Sequence, residues 1–144
     1  GMRAIKKLAT ATKLRDSIMN EAFESAIWYD QNSIISFWNP QAERTFGWKK
    51  EEIIGKKLTD LIIPERYAAL HEANIRDFLH VGKPPLPRPR TETVALHKNG
   101  SEVAIELSIV ALSEGKNALF CAHIFDLSEE KSFAKSVLFT RTTA

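Results

Sequence analysis

The stretch from Ile34 to Ile63 constrains the fold more than any other part of the chain. An alternating run ends in Phe37-Trp38-Asn39-Pro40, and Gln41 to Trp48 and Lys50 to Lys56 follow with glycine at 47 and 55. Pro40 suits a first helical turn, where its missing N–H is harmless, with Asn39 as N-cap and Gly47 as terminator. A strand, an Asn-Pro turn and very short helices separated by glycine make a poor solid core. They make a good wall around a small cavity.

The rest of the chain divides into a few elements around this stretch. Ser25 to Tyr29 and Ser33 to Trp38 are short β-branched or aromatic runs separated by Asp30-Gln31-Asn32, which predicts a hairpin. Pro64 opens a longer helix running to about Val81, before Gly82 and Pro84-Pro85-Leu86-Pro87-Arg88-Pro89. Four prolines in six residues predict a stiff extended connector into the next strand. Thr91 to His97 and Glu102 to Leu112 flank Lys98-Asn99-Gly100, and Val103, Ile105, Leu107, Ile109 and Ala111 alternate strictly with their neighbours. A turn at Ser113 to Lys116 leads to a last strand, Ala118 to Asp126. Residues 1–20 carry Ile5, Leu8, Ala11, Leu14 and Ile18 at helical steps, and Glu129 to Phe139 is predicted helical with Ser128 as N-cap. Hairpin-scale connections within each strand group, and a long crossover between the groups, predict an α+β fold. Five antiparallel strands have short helices and one longer helix on one face, plus flanking helices at both ends.

At 144 residues and 44% hydrophobic, the chain is expected to build one core. Twenty basic and eighteen acidic residues leave a net charge of +2 with no clustered footprint for nucleic acid, so none is expected as a partner. No apolar run approaches the ~20 residues needed to cross a bilayer. The single Cys121 precludes an internal disulfide and suits a reducing compartment, so the expected location is cytoplasmic. No phosphate-binding glycine loop, zinc-spaced Cys/His pair or nucleophile-elbow serine is present, and the chain is not expected to be an enzyme.

Four histidines remain. On the Pro64 helix Tyr67, His71, Ile75 and Phe78 fall at steps of four, four and three, which turns His71 inward with three hydrophobic neighbours. A neutral imidazole there is a hydrogen-bonding group or an iron ligand. His97 precedes the Asn99-Gly100 turn and is expected to be exposed, while His123 shares a strand face with Cys121 and Phe125. Cys121, mid-strand, reads as a small buried thiol.

Asn39, Phe46-Gly47-Trp48 and Glu51 to Lys56 together resemble the PAS domain, a sensory module of bacterial signalling proteins, and the likeness extends over residues 21–128. The resemblance implies sheet order 2-1-5-4-3, a small-molecule ligand, a homodimer, and an effector such as a histidine kinase or diguanylate cyclase. Trp38, Phe46, Leu61, Tyr67, His71, Ile75, Leu107 and Ile109 are expected to line the pocket, by inward-facing position or by match to the family. Pro64 to His71 further resembles the segment that carries the proximal histidine of oxygen-sensing haem PAS domains, which implies haem b on His71 as one cofactor. The arginine that stabilises oxygen in such sensors falls at Thr91. Light-sensing relatives carry an adduct-forming Cys on a short helix, and Leu58 to Ile63 contains none, so a flavin adduct is not expected. A third reading is a ligand-free interaction module working through dimerisation of its flanking segments, 1–20 and 129–144, and its outer sheet face. Asp126-Leu127-Ser128 resembles the family's Asp-hydrophobic-Thr junction to an effector helix, with Phe125 in place of its usual basic residue.

Overall fold

The computed structural model describes residues 24–81, 90–113 and 117–128. The predicted flanking helices and the proline-rich connector lie outside these residues. Strands β1 (Ser25–Asp30), β2 (Ile35–Trp38), β3 (Thr91–Leu96), β4 (Glu102–Ser113) and β5 (Leu119–Asp126) form one antiparallel sheet in the order β2-β1-β5-β4-β3. Helices α1 (Pro40–Phe46), α2 (Lys50–Ile53), α3 (Leu58–Leu61) and α4 (Glu65–Val81) lie between β2 and β3 in sequence. The α+β class and the strand order match expectation.

Strand alternation separates the two faces of the sheet. Ile27, Tyr29, Phe120, Ala122, Ile124 and Ile105 are buried on the helix-covered face, where Tyr29 stacks on Phe120 at 5.4 Å and Phe78 of α4 meets Phe120 edge-on at 5.2 Å. On the opposite face Trp28 pairs across strands with Cys121, and Val110 and Leu112 are exposed. Cys121 is buried, as expected, and burial pushes its thiol up to about 11.

The β1–β2 turn differs from the sequence reading. Asp30 accepts hydrogen bonds at Oδ1 from the amides of Asn32 and Ile34, and its carbonyl accepts from Ser33 N. This bonding draws Ser33 into the left-handed region at φ +66°, so β2 starts at Ile35 rather than at Ser33.

Asn39 joins this hairpin to α1. Its Oδ1 accepts from Ala42 N at 2.9 Å, capping the helix, and from Ala26 N of β1 at 3.0 Å, while Nδ2 donates to the Glu24 carbonyl at 2.9 Å. At its other end α1 stops on Gly47 at φ +81°, whose N–H donates to the Glu43 carbonyl.

His97, expected to be exposed, is half-buried against Gly47. Lys98 N donates to the Phe46 carbonyl and folds the β3–β4 turn back over the end of α1. A Cβ on residue 47 would sit 2.5 Å from His97 Cε1. Gly47→Ala is expected to cost about 2 kcal/mol, combining left-handed strain with the ring contact. In urea unfolding, adding His97→Ala should recover only the contact part. Purely additive single and double variants would show that the two residues are uncoupled.

Candidate functional site

Where the core fill ends, a cavity of about 230 Å³ opens between α4 and the β3–β4–β5 part of the sheet. Its walls are mostly aliphatic, with Ile75 from the helix and Ile105, Leu107, Ile109 and Ile124 from the sheet. Helical spacing aims Tyr67, His71 and Ile75 at this space, and strand alternation aims Ile105, Leu107 and Ile109 at it from below.

Of the residues expected to line the pocket, Tyr67, His71, Ile75, Leu107 and Ile109 do so. Trp38 and Phe46 do not. They pack on one another at 5.6 Å in the solid core under β1 and β2, and Trp38 Nε1 donates to the Trp48 carbonyl at 2.8 Å. Leu61 also misses the cavity. The single turn of α3 points Leu58 and Ile62, four residues apart, inward, and Leu61 packs beside them against the core.

Sequence reasoning missed Tyr29, Asn74 and Thr93, which also line the space. Signals for them existed: Tyr29 alternates with Ile27, Asn74 lies one helical step from His71, and Thr93 stands across from Ile105 in the β3–β4 ladder. Burial raises the Tyr29 phenol far above its usual range, with the Cys121 thiol adding to the effect, so this group stays protonated.

His71 is the main polar feature. Its Nε2 lies 3.0 Å from Ser33 Oγ, and its ring packs against Tyr29 at 5.6 Å. Desolvation lowers its pKa to about 4 against a smaller opposing pull from Glu72, so the ring is neutral at physiological pH. Beside the cavity, Arg66 makes a two-pronged bond to Glu102 at 2.8 and 2.7 Å. Arg90 lies over the Phe125 ring at 5.4 Å and faces Glu106 at 3.5 Å. Among the described residues no cluster of His, Cys, Asp or Glu suits a bare metal ion, and no helix is long and apolar enough to cross a membrane.

A five-stranded antiparallel sheet in this order, with short helices and one longer helix enclosing a cavity on one face, defines the class of the molecule as a hollow α+β module. The PAS domain family matches over residues 24–129, and the chain belongs to that family, the sensory domains of signalling proteins. It is 29% identical over 128 residues to the oxygen sensor protein DosP of Escherichia coli K12, a match covering 86% of this chain and 16% of DosP. The chain spans between 16% and 23% of the length of three curated relatives it matches. Among solved structures, the PAS domain of an HTR-like protein from Haloarcula marismortui superposes with a TM-score of 0.68 at 15% identity, covering 88% of this chain and 99% of that one. The RpfR quorum-sensing receptor PAS domain of Cronobacter turicensis, in complex with C12:0, has a TM-score of 0.60 at 21% identity, covering 74% and 95%.

Proposed function

We propose that this PAS domain senses a small molecule held in the cavity under α4 and passes its state to an effector such as a histidine kinase or diguanylate cyclase. The observation that carries this reading is an apolar cavity set in an otherwise filled core, with His71 on its wall. A ligand there touches α4 and the sheet together, so occupancy favours one packing of the two over another. A coupling of only ~1–3 kcal/mol changes an output several-fold. The module acts as a cytoplasmic homodimer without catalysis of its own, and the exposed Val110 and Leu112 give the outer sheet face apolar surface for pairing. Native mass spectrometry of freshly purified protein should reveal a bound small molecule. A ligand at a hundredfold excess over its Kd should stabilise the domain by about 2.7 kcal/mol. Protein that purifies empty and never changes its melting temperature across a metabolite panel would count against sensing and leave dimerisation alone.

A second reading, haem b on His71, is favoured by the likeness to an oxygen sensor and by a neutral imidazole on the cavity wall. The donor chemistry fits. The space does not: about 230 Å³ is below the roughly 300–1,000 Å³ usual even for drug-sized ligands. Haem would require α4 to move away from the sheet. Titration with haemin decides the matter. A Soret band lost in His71→Ala supports this reading, and free haemin spectra throughout remove it.

A further inference from the structure

The polar groups around the cavity restrict the chemistry of its ligand further, if the cavity is the sensing site proposed above. Among the described residues that line it, none is Lys or Arg, and the one charged residue is Glu92. Three described arginines adjoin lining residues in the chain: Arg66 is bound to Glu102, Arg90 meets Phe125 and Glu106, and Arg76, beside Ile75, is exposed and outside the lining. A ligand carboxylate would therefore enter an apolar space facing no described cation, and an unpaired buried charge is strongly disfavoured. His71 offers a ring nitrogen rather than a fixed charge, with Nε2 already 3.0 Å from Ser33 Oγ.

One hydrogen-bonding function remains. Ser33 is buried, lies outside the cavity lining, and holds His71 Nε2 from behind at 3.0 Å. Its position is itself fixed, because its N–H donates to the Asp30 carbonyl and its own carbonyl accepts from Leu58 N of α3. Nδ1 of His71 has no hydrogen-bond partner among the described residues. With Nε2 held, the ring keeps one orientation, and its second nitrogen is left to pair with an incoming group.

We propose that the cavity selects a small uncharged ligand, an apolar body bearing one hydrogen-bonding group, and that Ser33 is the positioning residue that presents His71 to that group. At about 230 Å³ the space is larger than the ~150 Å³ apolar cavity that takes up benzene, and this is the scale of a single aromatic ring with a short side chain.

Three probes that share one body test this: 2-phenylethanol, phenylacetate and ethylbenzene, titrated at pH 7.5 and followed by amide chemical shifts in the full chain. The alcohol is expected to bind at least ~10-fold more tightly than the carboxylate, because the charge is buried unpaired, and ~5-fold more tightly than the hydrocarbon. Ser33→Gly tolerates the left-handed backbone and removes the CH2OH side chain, hydroxyl included. It should leave ethylbenzene affinity unchanged and bring the preference for the alcohol over ethylbenzene down to less than twofold. Phenylacetate binding as tightly as the alcohol overturns the uncharged-ligand inference but leaves cavity sensing intact. Full alcohol preference in Ser33→Gly overturns the role of Ser33. If none of the probes shifts the cavity amides, the cavity reading falls and this inference falls with it.

Discussion

Asn39→Ala is expected to lower the stability of the domain by about 3 kcal/mol, more than an ordinary helix cap supplies. A lost N-cap alone costs about 1 kcal/mol. Here the same side chain also satisfies Ala26 N in β1 and the carbonyl of Glu24, at 3.0 and 2.9 Å, and it is fully buried. Alanine leaves the buried Ala26 amide and the part-buried Glu24 carbonyl unpaired, and each unsatisfied buried group costs about 1–3 kcal/mol. Asn39→Asp keeps both acceptor bonds but sets a carboxylate against the Glu24 carbonyl, so its loss should be intermediate. Urea unfolding followed by tryptophan fluorescence reads both variants. A loss in Asn39→Ala of less than about 1 kcal/mol would mean that the side chain is only a cap.

Acid should weaken the domain through His71 before most carboxylates titrate. The pKa of the ring falls from 6.5 when exposed to about 4 in the folded state, chiefly by desolvation. Between those values the unfolded chain binds a proton that the folded chain refuses. The contribution of the neutral ring is thus complete above about pH 6.5 and is lost as pH falls toward 4. At ~1.4 kcal/mol per pH unit, the whole window amounts to roughly 3 kcal/mol. Glu52 and Glu102, lowered mainly by their bonds to Lys98 and Arg66, act at the acid end of the window. The comparison must therefore be made against His71→Leu, in which the loss between pH 7.5 and 5 should nearly vanish. Equal slopes in the two proteins would show that the ring is protonated freely in the folded state.

Elements whose chemistry is local were legible in the sequence. The alternation from Val103 to Ala111 marks β4, the Asn39-Pro40 pair marks the start of α1, and the stripe His71, Ile75 and Phe78 marks the inner face of α4, with Tyr67 at its exposed rim. Several misreadings turn on packing that a local pattern does not report. Hydrophobic periodicity reports that Trp38 and Phe46 face inward but not whether the interior at that point is full or hollow, and here it is full. His97 reads as exposed beside a polar turn, yet Lys98 N bonds to Phe46 O and brings that turn onto Gly47. The Ser33–His71 bond spans 38 residues and depends on a left-handed serine, for which the Asp30-Gln31-Asn32 run gives only a general turn signal.

The sheet order also determines how this module can sit in a longer polypeptide. Strands β1 and β5 run side by side at its centre, with Ser25 at the start of one opposite Ile124 near the end of the other. Neighbouring strands lie ~4.8 Å apart, so the chain enters and leaves through what is nearly a single doorway. A module closed in this way can be spliced between two segments without forcing them apart. Any slip of β1 along β5 is felt at entrance and exit together, as a tug on both reins at once.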